Sequence, residues 1–395
     1  MDYLHQDVFC GVVPKRRFIH LQTLPAHSMH IAMFVTNSCD PDARVLAQAA
    51  WLKEEGHVVD VHAFDRGHVS KAEESEDGLR ITRHRLGKVA YGGLIRTANG
   101  KRRFRNAMIR LLSREKFDII VCHDADTLAI GTAIKRRLPS IRLVFDMHDL
   151  QHTWILMHQT SLFRRMAAAW MKRTMLNAAQ RCDVVLTSSD GLSGWLIEYG
   201  IASLVIENRP LACTIIPDLP PKYTVGYLGR IRELEPFDQL INAIEILDPE
   251  KRPDILLAGD GVMAEKVNHI LSDRTAQLGI GYRYHGPFQR SDLPGLMAEI
   301  SVMFAMYSPH RENIARGALP TKMFDAAAYG RASIVNDATP MAEVCEAESL
   351  GHICAWNDPD ALAAILVDQP SPKVRLQRDA KDERITYLHA LTQRA

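Results

Sequence analysis

Short apolar runs alternate with stretches of helical spacing along most of the chain. "MHIAMFVT" (29–36) has the continuous apolar character of a strand buried on both faces. "DARVLAQAAWLKEEGH" (42–57) then places Val45, Leu46, Ala49 and Leu52 on one helical face, and Gly56 ends the pattern. "VVDVHAF" (58–64) is a second strand, which completes a βαβ unit. "GLRITRHRL" (78–86), "FDIIVCHDAD" (117–126), "IRLVFDMHD" (141–149) and "CDVVLTSSD" (182–190) predict further strands, several ending in His, Asp or Ser. Helical spacing lies between them in "TLAIGTAIKRRL" (127–138) and after them from Gly191. Strands alternating with helices predict a parallel, doubly wound α/β sheet, whose ligands bind at the carboxyl ends of the strands.

"PLACTIIPDLPPK" (210–222) holds four prolines and breaks the rhythm, as a linker would. The βαβ pattern restarts with "YTVGYLGRI" (223–231), the helix "FDQLINAIEIL" (237–247), "PDILLAGDGV" (253–262) and the helix "MAEKVNHIL" (263–271). Strands follow in "YRYHGPF" (282–288), "SVMFAMY" (301–307) and "ASIVN" (332–336). The expected organisation is a loosely ordered extension (1–28), a Rossmann-like domain (29–209), the linker (210–222), a second Rossmann-like domain (223–370) and a helical tail (371–395). Two such domains would face one another across a cleft.

Composition narrows the class. A chain of 395 residues exceeds one ordinary core, and 47% hydrophobic with 24% charged residues is a globular balance. Lys and Arg number 48 against 47 Asp and Glu, so bulk charge does not make this a nucleic-acid binder. The seven cysteines are scattered, with no Cys-x-x-Cys pair, which predicts a reducing, cytoplasmic setting without disulfides or zinc. No apolar stretch approaches the ~18 residues of a transmembrane helix.

Several features bear on chemistry. No Gly-x-Gly-x-x-Gly follows the first strand and no Walker A lysine motif is present, which disfavours a nicotinamide dehydrogenase and excludes a P-loop NTPase. "HDAD" (123–126) has the form of an Asp-x-Asp metal motif, but the two-domain rhythm argues against the fold that uses it, so no metal is expected. Gly259, Asp260 and Gly261 form a turn after a strand, read either as a tight turn or as a nucleotide contact. In "LPTKMFDAAAYG", Lys322 falls in the first turn of a helix, where the dipole disfavours a cation by a few tenths to about 1 kcal/mol. It is either a solvated residue or one that holds an anion at the helix N-terminus. Residues 88–116 carry nine basic residues and one acid, Glu115; this is a solvated basic face or a docking surface for anionic lipid. The helix at 161–176 would add to that surface, although its Met and Ala read as core.

From about residue 30 to 360, these segments come in the order and spacing of the retaining glycosyltransferases of family 4, and the chain resembles that family. "LPTKMFDAAAYGRASIVN" is similar to its "PxK-x-x-E…A-x-G-x-P-V-I-A" segment. The resemblance implies the GT-B architecture and an enzyme that moves a sugar from a nucleotide-diphosphate donor to a hydroxyl of a saccharide or lipid-linked acceptor, in cell-surface polysaccharide synthesis. The nucleotide sugar is then a co-substrate, with no further cofactor. It assigns catalysis to His123, Arg230 and Lys322, and donor binding to Gly229, Arg230, Gly259, Asp260, Gly261, Thr321, Lys322 and Asp325. Asn37, Asp40, Arg44, His148 and Asp149 fall on the acceptor side. A peripheral place on the inner face of the membrane, through 88–116, would suit a lipid-linked acceptor. Two positions depart from the family: Glu235 stands where a second diphosphate lysine is usual, and Gly317 where a sugar-contacting glutamate is usual. These departures keep open a non-catalytic GT-B subunit partnering a transferase and, less so, a nucleotide-sugar epimerase.

Overall fold

Alternate residues of the central strands bury their side chains on opposite faces of a sheet, and this two-sided burial organises the first half of the molecule. In a computed structural model that describes residues 28–40, 42–67, 71–76, 78–86, 94–112, 114–156, 161–367 and 374–392, the chain forms two sheets. The extension expected at 1–28 falls, but for Ser28, outside the described residues.

The first sheet contains β1 (His30–Val35), β2 (Val58–Ala63), β3 (Glu73–Glu76), β4 (Leu79–Arg83), β5 (Ile119–His123), β6 (Arg142–Met147), β7 (Val184–Thr187) and β8 (Leu204–Val205), in the spatial order β3-β4-β2-β1-β5-β6-β7-β8. Every pairing is parallel except β3 with β4; the sequence pattern predicted β4 but not the edge strand β3. Its helices are α1 (Ala43–Glu54), α2 (Leu94–Leu112), α3 (Leu128–Arg137), α4 (Leu162–Ala179) and α5 (Asp190–Ile197). Ala32 and Phe34 of β1 pack with Phe104 and Met108 of α2 on one face. Ile31, Met33 and Val35 pack with Val45, Ala49 and Leu52 of α1 on the other. Full burial on both faces is why these strands read as unbroken apolar runs.

The second sheet comprises β9 (Thr224–Leu228), β10 (Asp254–Ala258), β11 (Tyr282–Gly286), β12 (Val302–Phe304), β13 (Ala332–Asn336) and β14 (Gly351–Cys354), ordered β11-β10-β9-β12-β13-β14 and parallel throughout. It carries α6 (Glu235–Ile246), α7 (Ala264–Leu278), α8 (Leu293–Ala298), α9 (Glu312–Ala315), α10 (Thr321–Ala328), α11 (Pro340–Ala347) and α12 (Pro359–Val367). Residues 210–222 contain no helix or strand, and Arg331 ties Pro217 and Asp218 to the second sheet through their carbonyls.

The last helix, α13 (Ala380–Thr392), returns to the first half and packs on α1. Tyr387 and Leu391 enter the same apolar cluster as Leu52, with the Tyr387 ring 5.7 Å from Trp51. The chain therefore crosses between the halves twice. Both crossings meet at buried Arg209, which donates to the two Glu348 oxygens at 2.8 and 2.6 Å and also bonds Glu207. Arg378 bonds the same two glutamates. With four charged groups satisfying one another, removing any one would strand a buried charge.

No helix among the described residues is long and apolar enough to cross a membrane. The Tyr387 side chain is wholly buried and its hydroxyl has no hydrogen-bond partner. Tyr387→Ala is expected to cost about 3–5 kcal/mol by emptying the seat of α13. Tyr387→Phe is expected to stay within about 1 kcal/mol of wild type, since it removes an unpaired polar group. Urea denaturation of the two variants checks this.

Candidate functional site

A cavity of about 1250 Å³ opens between the two halves. On one side lie α1, His148, Asp149 and α13; on the other lie the β9 loop, Tyr307, Arg311 and the start of α10.

Lys322 sits at the second residue of α10, behind Pro320 and Thr321, which also line the cleft. It is 7% exposed, and its amine has no hydrogen-bond partner among the described residues. The nitrogen lies 3.1 Å from the centre of the Tyr227 ring and 5.3 Å from that of Tyr307. Burial, with Arg311 nearby, holds its pKa well below the usual lysine value. Of the two readings of this lysine, the solvated one fails. Gly229 adopts φ 135° beside it, with Lys322 Nζ 3.6 Å from where a Cβ would stand, so the β9 loop and the lysine share one narrow space.

Three arginines surround this point. Arg230 lines the cleft and is more than half exposed, paired with Asp260. Arg232 stacks on the Trp154 ring at 4.5 Å and has no ion-pair partner within 4.0 Å among the described residues; Arg230 and Arg311 repel its charge. Arg311 bonds Glu233 at 2.7 Å. Sequence reasoning missed Arg232 and Arg311. The first was legible as the second arginine of "GRIRELE", but attention to the family's lysine position led to Glu235 instead. Glu235 is exposed in the first turn of α6, where the dipole favours an acid.

Thr321 and Asp325 line the same cleft, and burial raises the Asp325 carboxyl to about 6. Gly259 and Gly261 do not line it. Each packs behind the β9 loop: a Cβ on Gly259 would stand 1.9 Å from the Gly229 oxygen, and one on Gly261 would stand 2.1 Å from that of Ile231. The turn shapes the loop, and Asp260 reaches the site only through Arg230.

Opposite, Asp146 gathers much of the first half's wall. Arg44 donates to both its oxygens, at 2.9 and 2.6 Å, and Gln48 donates at 2.9 Å. His123 Nδ1 and His148 Nε2 contact it at 3.1 and 3.0 Å. This corrects two expectations. His123 is wholly buried and does not line the cleft, because the last residue of β5 points into the interior and not along the sheet edge. Arg44 is buried as the partner of Asp146 and of the Ile206 carbonyl, so it is not available to an acceptor. Asn37 is likewise occupied, bonding Asp42 and the Cys39 amide, and neither it nor exposed Asp40 lines the cavity. His148 and Asp149 do line it. His123, Asp146 and His148 have the mutual spacing of a metal-ligand set. Their carboxylate is already committed to Arg44 and Gln48, so the cluster balances its charge internally.

Gly317, the unexplained departure from the family pattern, has a structural role. At φ 113°, its backbone lies so close to Gly191 at the start of α5 that a Cβ would stand 2.6 Å from the Gly191 Cα. The two halves touch here backbone to backbone, and Leu150 N–H donates to Asn313 across the same boundary at 3.0 Å.

Two α/β halves, each built on a largely parallel sheet, with a cation-lined cleft between them, have the GT-B architecture. The chain resembles glycosyltransferase family 4 over part of its length: the sequence model of Glycosyltransferase Family 4 matches residues 43–208, and that of Glycosyl transferases group 1 matches 222–368. The chain is 22% identical over 178 residues to "Probable glycosyltransferase WbjE" of Pseudomonas aeruginosa, a match covering 44% of this chain and 42% of that protein. Its fold is similar to sucrose-phosphate synthase from Thermosynechococcus elongatus, with TM-score 0.70 and 14% identity over 92% of this chain and 95% of that one. It is also similar to Anabaena Alr3699/HepE in complex with UDP and glucose, with TM-score 0.59 and 17% identity over 92% and 93%.

Two outcomes test this geometry. Gly317→Ala is expected to part the halves at their glycine contact, which would appear as a larger radius of gyration in X-ray scattering. The Asp124 and Asp146 carboxylates hold the His148 pKa at about 9, against the desolvation that would lower it. A histidine raised above its unfolded value of ~6.5 contributes stability that is fully present below that pH and is lost as pH rises to about 9. Burial also pushes the Asp124 carboxyl up, which works in the same direction at lower pH. Between pH 6 and pH 9, wild type should therefore lose on the order of 1–3 kcal/mol more stability than His148→Gln. Denaturation at the two pH values checks this.

Proposed function

We propose that the protein transfers a sugar, with retention at the anomeric carbon, from a nucleotide-diphosphate donor to a hydroxyl of a saccharide or lipid-linked acceptor in cell-surface polysaccharide synthesis. The observation that carries this reading is Lys322, a buried amine with no hydrogen-bond partner among the described residues, at a helix N-terminus that faces the cleft. A diphosphate there would supply the missing counter-charge, and the amides opening α10 would add donors. HepE bound to UDP and glucose, in a similar fold, supports a nucleotide donor here.

Each residue then has a task. Lys322 and Arg232 stabilise the charge that grows on the diphosphate as the bond from the anomeric carbon to the phosphate oxygen breaks. Arg230 exchanges Asp260 for a phosphate oxygen. Asp325 accepts from the ribose hydroxyls. His148 and Asp149, on the facing wall, orient the acceptor hydroxyl. Its oxygen forms the new bond to the anomeric carbon, and its proton passes to the departing diphosphate.

Lys322→Met is expected to lower kcat/KM by about 10²–10³-fold and Arg232→Ala by about 10-fold or more, measured as nucleotide diphosphate released from a panel of nucleotide sugars. UDP or GDP should raise the thermal midpoint of wild type and not of Lys322→Met. No release and no thermal shift with either nucleotide would overturn the reading in favour of a non-catalytic GT-B subunit.

A further inference from the structure

Helix α4 carries a face that no other described residue covers. Leu162 (75% exposed), Phe163 (71%), Met166 (65%) and Trp170 (69%) project from it together. Leu162, Met166 and Trp170 are spaced four apart and so lie one above the next. Its Ala168, Met175, Leu176 and Ala179 face the core instead. The Met and Ala residues of this helix thus divide between two faces, where the sequence reading put them in the core. Four large apolar side chains exposed in a row are a contact surface for something.

The charges identify the occupant. Arg165 and Arg173 are exposed beside the apolar row, and α4 contains no acidic residue. Helix α3 packs against both α2 and α4, so the exposed Arg102, Arg103 and Arg110 of α2 and Arg136 of α3 belong to the same side of the sheet. A second copy docking through this face would set Arg165 and Arg173 against their own counterparts with no acid on the helix to neutralise them. An anionic lipid surface satisfies both halves of the pattern: aliphatic and aromatic side chains enter the acyl boundary, and arginines meet headgroups.

We infer that α4 docks the enzyme on an anionic bilayer, with the Phe163–Trp170 face inserted and the basic side of the first domain against the headgroups. The helix packs on the turn Gln151–Leu156, which directly follows His148 and Asp149. The bilayer thereby lies beside the wall assigned to the acceptor, which suits an acceptor carried on a lipid. That last step rests on the proposed function; the docking itself does not.

The test is co-sedimentation of the full chain with phosphatidylcholine vesicles, with and without phosphatidylglycerol, at low salt. No donor or acceptor is present, so failure here is distinct from failure of the transferase reading. Wild type should partition at least about tenfold better onto the anionic vesicles. Phe163→Ser/Trp170→Ser should lose about tenfold or more of that binding with an unchanged thermal midpoint. Arg165→Glu/Arg173→Glu, which leaves the apolar row intact, should lose the preference for anionic lipid, and it decides the matter if the serine variant misfolds. The inference is overturned if wild type stays in the supernatant, or if well-folded variants bind as wild type does. It is also overturned if lipid-free wild type sediments as a dimer that the serine variant dissolves, since the face would then join two chains.

Discussion

A buried lysine amine with no hydrogen-bond partner among the described residues is the constraint around which the cleft is built. Lys322 lies at the positive end of a helix, under two tyrosine rings, with Arg311 nearby, and burial lowers its pKa. Each of these features except the rings disfavours a protonated amine. The rings return some of that free energy through their negative faces, on the order of 1–2 kcal/mol where solvent is excluded. A ligand that brings negative charge would favour the protonated amine and so oppose the effect of burial. Such a site is poised: its most unfavourable group in the free state is the one that interacts most strongly with the ligand. Arg232, pressed by Arg230 and Arg311 and stacked on Trp154, is in the same condition.

The opposite wall is built on the contrary principle. Asp146 is a buried anion with an excess of partners, and Arg44, Gln48, His123 and His148 are each fixed in place by it. Within that knot His123 Nε2 and Gln48 Oε1 have no hydrogen-bond partner among the described residues, and its one member lining the cleft is His148. The contrast is one of charge: on one wall a buried carboxylate is surrounded by donors, and on the other Lys322 and Arg232 have no ion-pair partner within 4.0 Å among the described residues.

This difference also explains what could be read from the chain and what could not. The sheet rhythm was legible because strands buried on both faces leave continuous apolar runs, and the helices between them keep their own period. The edge strand β3 left no such trace, since Glu73–Glu76 is polar throughout. Lys322 was legible because a cation at a helix start contradicts a local rule. His123 and Arg44 were misplaced because the residue that ends a strand, or opens a helix, turns either to the cleft or to the interior, and one Asp side chain decided which. Gly317 read as a missing glutamate, whereas its lack of a side chain lets two backbones meet. Loss of a familiar residue and gain of a contact look the same in a sequence.

The departures at Glu235 and Gly317 also bear on each other. A lysine at 235 would stand in the first turn of α6, where the dipole disfavours it, whereas Arg232, three residues nearer the β9 strand, lines the cleft. Arg232 in turn stacks on Trp154, which belongs to the first half, so this cation bridges the cleft where a lysine on α6 would remain on one side. A cation that spans the two halves needs them held at a fixed separation. The glycine contact at Gly191 and Gly317 and the Arg209 network provide that separation at two points on the boundary. Charge and closure would therefore be coupled: with its cation stacked on a residue of the other half, any anion bound at Arg232 would sense how closely the halves meet.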